Sequence, residues 1–231
     1  MPEEGVLLFS GGIDSSFLAF LAARERKDVT LFSVGTSNSH DFSWTKEAAS
    51  ILGLPLKFQD VGEKEVLSAL KGIKDITGEG DALIILIELP LYFACIHSNE
   101  HWIISGQGSD ELFLGYRKYD REDTSHLDLE NVLGKVTVIE RKIGLAFNRE
   151  ISYPYLGSEV ISVANRIPRD LKVRDGHRKF ILRQVALQLG LDERIAWKPK
   201  KASQYSSGLK ELVEKIAKRE GKKVHQLIRD L

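Results

Sequence analysis

Seven residues near the start of the chain, Ser10-Gly11-Gly12-Ile13-Asp14-Ser15-Ser16, have the types and spacing to hold an anion. An apolar run, Val6-Leu7-Leu8-Phe9, leads in, and an apolar run from Phe17 to Ala23 leads out. The stretch reads as a strand, a glycine turn and the first turn of a helix. Two glycines let the backbone pass close to a bound group. The N–H groups of the helix start, with the positive end of its dipole, point at that group. The hydroxyls of Ser10, Ser15 and Ser16 add donors. Asp14 differs in kind: a carboxylate in a phosphate cradle repels phosphate unless a cation lies between them, which implies Mg²⁺. No Lys follows the glycines, so the G-x-x-x-x-G-K-[ST] loop is absent, and so is G-x-G-x-x-G.

A second glycine loop, Gly106-Gln107-Gly108-Ser109-Asp110-Glu111, follows the strand-like run Trp102-Ile103-Ile104-Ser105. If both strands end at the same edge of one sheet, the two loops face each other. Asp14 and Asp110 then supply two carboxylates to one Mg²⁺ carried by phosphates. A surface turn uses the same residue types. Two such loops at strand ends make coincidence the poorer account.

The elements that must position these loops follow from periodicity. Strands are expected at residues 6–9, 29–34, 56–61 and 102–105. Helices are expected at 13–26 and 44–52, around Val66, Leu67, Leu70 and Ile73, and as one long buried helix over 81–98, bent near Pro90. The β-α-β-α-β-α order predicts an α/β fold, a parallel sheet with helices on both faces, with ligand beyond the carboxyl ends of the strands. Beyond a soft boundary near residue 120 the chain reads as helical, with apolar periodicity at 132–147, 160–164, 179–189, 209–216 and 224–231.

Composition narrows the function classes. The 231 residues are 42% hydrophobic and 29% charged, enough for a sizeable core. The longest apolar run, 82–96, is interrupted by Glu88 and Pro90 and falls short of the ~20 residues of a membrane span. The chain passes from Met1-Pro2-Glu3-Glu4 straight into a strand, without a signal peptide, so a cytoplasmic protein is expected. A lone cysteine, Cys95, excludes an internal disulfide, and its apolar neighbours place it in the core. A net charge of zero argues against a nucleic-acid partner. Residues 198–231 carry ten Lys/Arg against four Asp/Glu, which reads as the solvated face of helices.

The first loop resembles the S-G-G-x-D-S pyrophosphate loop of the ATP pyrophosphatases, which cleave ATP to AMP and pyrophosphate. Ser105 to Tyr116, S-G-Q-G-S-D-E-L-F-L-G-Y, resembles the S-G-E-G-S-D-E-x-F-G-G-Y motif of the synthase domain of asparagine synthetases. Three further segments match that family in order: Tyr153-Pro154-Tyr155-Leu156 (R-x-P-F-L-D), residues 176–183 (G-K-x-x-K-x-x-L-R) and residues 198–208 (K-x-x-x-Q-x-x-S-G). The resemblance implies adenylation of an acceptor carboxylate, aspartate in the family, followed by attack of ammonia. It implies that Ser10, Gly11, Gly12, Asp14, Ser15 and Ser16 hold ATP phosphates and that Leu8, Val34, Ser105 and Gly106 line the adenosine pocket. It further implies that Asp14 and Asp110 hold Mg²⁺, and that Lys179 stabilises charge on phosphate and on the tetrahedral intermediate.

Three departures bear on the acceptor half. No glutaminase domain with an N-terminal cysteine precedes the loop, so free ammonia, another amine or a separate glutaminase subunit is expected to serve. The glutamate of the second loop is Gln107, placed beside the reacting groups but unable to act as a base or hold an ammonium by charge. The arginine and aspartate around P-F-L are Ser152 and Gly157. The ATP half looks intact and the acceptor half altered. Two rivals stay open: a tRNA-modifying enzyme of the same loop class, and an ATP-binding regulator that has lost catalysis. The oligomeric state is open as well, a homodimer included.

Overall fold

The computed structural model describes residues 1–36, 40–198 and 208–231. Five strands form one sheet: β1 (Glu4–Leu8), β2 (Asp28–Gly35), β3 (Leu56–Asp60), β4 (Trp102–Ile104) and β5 (Glu150–Ser152), in the order β3-β2-β1-β4-β5. Every neighbouring pair is parallel. Leu7 pairs with Leu31 on one side and Ile104 on the other, and Ile103 pairs with Ile151. The chain runs outward from β1 to β3 and then returns to β4, so the strand order reverses between β1 and β4. Such a reversal opens a crevice at the carboxyl edge of a parallel sheet.

Helices cover both faces. Successive side chains of β1 point to opposite sides, Val6 into one core and Leu7 into the other. On the Leu7 side lie α1 (Ile13–Arg24) and α2 (His40–Leu52), joined by the later helix Phe180–Leu189 through Leu182 and Ala186. On the Val6 side lie α3 (Glu63–Thr77), α4 (Ala82–Ile87) and α5 (Leu89–His97). In α3, Val66, Ala69, Leu70 and Ile73 form the buried stripe, and Gly78 ends the helix in the left-handed conformation at φ 70°. The final helices, Leu209–Arg219 and Val224–Asp230, return to this side through Val213, Ile216, Leu227 and Ile228. Lys215, Lys218 and Arg219 are exposed there, as expected of a solvated face.

The structure departs from the periodicity reading in four places. The helix expected over 81–98 is two helices, interrupted at Glu88. Pro90 sits at the start of α5, where it cannot donate to the carbonyl four residues back. The second half is not wholly helical, because β5 joins the sheet beside β4. The helix expected over 132–147 comprises a π-helical turn, Val132–Val136, and α-helix Thr137–Ala146. A two-stranded hairpin, β6 (Val173–Arg174) and β7 (His177–Arg178), precedes Lys179. Cys95 is buried, as its neighbours suggested. Among the described residues, no helix is long and apolar enough to cross a membrane.

Candidate active site

The two glycine loops leave adjacent strands, β1 and β4, at the reversal of strand order, so they meet. Ser10 and Ser15 fold the first loop back on itself: the Ser10 amide donates to Ser15 Oγ at 3.2 Å, and Ser15 Oγ donates to the Gly12 carbonyl at 3.3 Å. Gly11 adopts φ +68°, and a Cβ there would meet the Trp44 ring at 2.7 Å. Trp44 Nε1 donates to the Gly11 carbonyl at 2.9 Å, so α2 braces the turn. Gly12 is the N-cap of α1 and carries no side chain to satisfy the first-turn amides. Ser16 is fully buried and its hydroxyl has no hydrogen-bond partner.

A buried ammonium joins the loops. Lys179 Nζ lies 2.5 Å from Asp14 Oδ1 and 2.6 Å from Asp110 Oδ1, with its side chain 1% exposed. Burial alone would depress the Lys179 pKa, but Asp110 and Asp14 outweigh it and raise the pKa above the ordinary lysine value. The ammonium therefore stays charged. Ser109 Oγ donates to Asp14 Oδ1 at 2.8 Å, and the buried Tyr155 hydroxyl donates to the Asp14 carbonyl at 3.0 Å. Four parts of the chain, at residues 14, 109–110, 155 and 179, thus converge on one point.

Lys179 is held in an unfavoured backbone conformation. It is the N-cap of helix Phe180–Leu189 at φ 55°, ψ 33°. A non-glycine residue there costs about 1–2 kcal/mol. The preceding hairpin fixes it: Asp175 and Gly176 both have positive φ at the tight turn. Arg178 pairs with Asp120, just past the second loop, with Nη1 donating to Oδ1 at 2.7 Å. Gly115 supplies the space, since a Cβ there would lie 1.8 Å from Asp110 Oδ1 and 2.4 Å from Lys179 Cε. Gly115→Ala is therefore expected to push both charged groups aside and destabilise the chain by about 1–3 kcal/mol. Chemical denaturation against the unsubstituted chain checks this, and an unchanged midpoint would refute it.

A cavity of about 210 Å³ opens beside this joint. Leu8, Ser10, Asp14 and Ser15 line it from the first loop, and Val34 from the end of β2. Ser105, Gly106, Gln107 and Asp110 line it from the second loop. Gly11, Gly12 and Ser16 lie behind that surface in the turn, and Lys179 reaches it through Asp14 and Asp110. Gln107 is among the residues that line the cavity. Sequence reading missed Ser109, Tyr155, Trp44 and Gly115, which hold the charged groups, and the buried carboxyls Glu88 and Glu140, which also line the cavity. Of segment 198–208, residues 199–207 lie outside the described residues. Its first member, Lys198, sets Nζ 4.1 Å from the Trp44 ring centroid.

Mg²⁺ fits the donor set. Two carboxylate oxygens already converge on a single cationic nitrogen, and phosphate oxygens would complete the coordination of a hard cation. Among the described residues no group of three or more His, Cys, Asp or Glu side chains is placed to hold a metal by itself.

A pyrophosphate-type loop after β1, facing a carboxylate-bearing loop after β4 on a parallel sheet, defines a PP-loop ATP pyrophosphatase fold. The family model described as asparagine synthase matches residues 4–132 and 121–230. A putative glutamine-hydrolyzing asparagine synthetase of Methanocaldococcus jannaschii is 31% identical over 93% of this chain and 48% of its own length. Asparagine synthetase B of Escherichia coli is 28% identical over 89% of this chain and 41% of its own. The chain belongs to the asparagine synthase family, within the PP-loop superfamily. It spans about half the length, or less, of these relatives. A solved structure described as a predicted subunit of tRNA methyltransferase from M. jannaschii aligns with TM-score 0.39 and 18% identity, covering 86% of this chain and 93% of that one. A likeness that weak carries no functional weight.

Proposed function

We propose that the chain is the synthetase part of an ATP-dependent amidoligase. It adenylates a carboxylate with release of pyrophosphate, then passes the acyl group to ammonia or another amine with release of AMP. The observation that carries this reading is the Asp14–Lys179–Asp110 joint, which locks both glycine loops around one cavity.

In this reading the turn Ser10 to Ser16 cradles the phosphates with backbone amides and hydroxyls. Leu8, Val34, Ser105 and Gly106 take the adenosine. Asp14 and Asp110 would hold Mg²⁺, which supplies charge neutralisation for the departing pyrophosphate. Lys179 places a fixed cation where negative charge grows on phosphate and carbonyl oxygens, an effect of several kcal/mol in a dry site. Residues 1–120 form the nucleotide half of a single unit, and 121–231, mostly helical but with β5 and the hairpin, supply Lys179. Because the named relatives are glutamine-hydrolyzing enzymes, a glutaminase domain or subunit is the proposed nitrogen source, with free ammonia as the substitute. Gln107, Ser152 and Gly157 make the acceptor acid an open choice between aspartate and another acid.

The test is incubation with Mg-ATP, ammonia and single amino acids while following pyrophosphate and AMP. Pyrophosphate release that depends on a carboxylic acid is expected. Nucleotide binding without pyrophosphate under every condition, with glutaminase supplied, would leave a regulator instead.

A further inference from the structure

The lining of the cavity includes two buried carboxyl groups that the nucleotide reading does not use. Glu88, at the break between α4 and α5, is 1% exposed, and Glu140, on helix Thr137–Ala146, is 5% exposed. Both line the cavity together with Gln107. Glu88 Oε1 and Glu140 Oε2 have no hydrogen-bond partner, and the Tyr153 hydroxyl, after β5, lies close enough to the Glu140 carboxyl to lower its pKa. Two buried carboxyl oxygens thus lack partners on one cavity. Leaving such groups unpaired is costly. Arg141 sets its guanidinium 5.8 Å from the Tyr153 ring centroid.

A carboxylate only accepts hydrogen bonds. When two of them on one cavity are ionised together they repel each other, and a small cation with several donors lying between them removes that repulsion. An ammonium group has that form: four N–H donors in free ammonium, three in a primary amine. Gln107 adds a neutral amide to the same space.

We infer that Glu88 and Glu140 form a binding site for a protonated amine, the nitrogen-donating substrate of the ligase reaction. The site rests on the amidoligase reading, for it places the nitrogen in the cavity where the acyl group would be made. Glu88 and Glu140 hold the cation as an ion pair, and Gln107, on the same cavity, orients it. Residue 107 then needs no charge of its own.

The test is calorimetric titration of the full chain with ammonium chloride and with methylammonium chloride, each against sodium chloride at matched ionic strength. Saturable binding of ammonium absent with sodium is expected, weakened at least tenfold in Glu140→Gln and lost in the Glu88→Gln/Glu140→Gln double variant. Binding of ammonium with methylammonium excluded identifies free ammonia as the nitrogen source; binding of both identifies an organic primary amine. Equal heats for ammonium and sodium in the unsubstituted chain would overturn the site, whether or not the variants fold. Full ammonium affinity in folded variants would overturn it too. A parallel titration of the unsubstituted chain with α,β-methylene ATP separates the two readings. Ammonium binding with no nucleotide binding supports the amine site and refutes the ligase; nucleotide binding with no ammonium preference refutes the site alone.

Discussion

Lys179→Met is expected to reduce pyrophosphate release by about a thousandfold, a loss of roughly 4 kcal/mol of transition-state stabilisation. Two effects combine. The fixed cation disappears from the place where charge develops. Asp14 and Asp110 also lose the ammonium that separates them, and two carboxylates reaching for one point repel. Removing one partner of a fully buried ion pair costs about 3–5 kcal/mol of stability. Here the carboxylates keep 25% and 19% of their side-chain exposure, so about 2 kcal/mol is the expected fall. Lys179→Arg should rescue little, because Gly115 leaves no room for a broader head group. The pH dependence carries a definite sign. Because the Lys179 pKa is raised on folding, its stabilisation is fully present below the ordinary lysine value and is lost only as pH rises through the folded one. The stability gap between Lys179→Met and the unsubstituted chain should therefore be the same at pH 6 and pH 8. Urea denaturation at both pH values reads the gap. Unchanged pyrophosphate release in a folded Lys179→Met protein would remove this lysine from the mechanism.

The residues around this lysine show what a sequence can and cannot disclose. The turn Ser10 to Ser16 is legible because strand, glycines and helix are contiguous, so local pattern alone builds the cradle. Asp110 is legible for the same reason, as the acid of a second strand-end loop. Lys179 stands 165 residues from Asp14, and nothing local marks its ammonium as buried. Only the G-H-R-K-F-I-L-R resemblance singled it out. Its positioning did have a signal: Asp175-Gly176 is a strong hairpin turn, but flanking strands of two residues each give no alternation to read. β5 was missed because three residues, Glu150-Ile151-Ser152, with one apolar side chain, carry no strand period. Glu88 was visible only as an interruption of an apolar run. A lone carboxylate in a run that buries Ile85, Leu86, Leu89 and Leu91 has to meet a partner or a cavity, and that inference from burial was available. Glu140 lies among other charged residues, Arg141 and Lys142, and only the packing of its helix separates it from them.

Glu88 and Glu140 also give the chain an unusual dependence of stability on pH. Burial pushes the Glu140 carboxyl up to about 7, against the lowering influence of Tyr153 and Arg141. Burial, with the charge of Glu140 added, pushes Glu88 well above the carboxylate range. Cys95 also faces Glu88, its thiol raised by burial to about 12, and stays neutral throughout. Between pH 4.5 and 7 the native chain holds a Glu140 proton that the unfolded chain has released. Stability in this window falls as pH rises, by at most about 1.4 kcal/mol per pH unit for each such group. Carboxylates with lowered pKa values, Asp120, Asp123 and Asp128 among them, act in the opposite sense but titrate below this window. Glu140 alone is therefore expected to cost the chain about 2 kcal/mol between pH 5.5 and pH 7.5 in urea denaturation, and Glu88 adds to that loss in the same direction. Glu88→Gln/Glu140→Gln should flatten that slope and be the more stable protein at pH 7.5. An equal slope in both would show that these carboxyls do not titrate as their burial demands. Ammonium chloride at pH 7.5, above the Glu140 value, supplies the contrast, since a cation that pairs with this carboxyl site binds only the folded chain. It should raise the midpoint of the unsubstituted protein, relative to sodium chloride, and leave that of the double variant where it was.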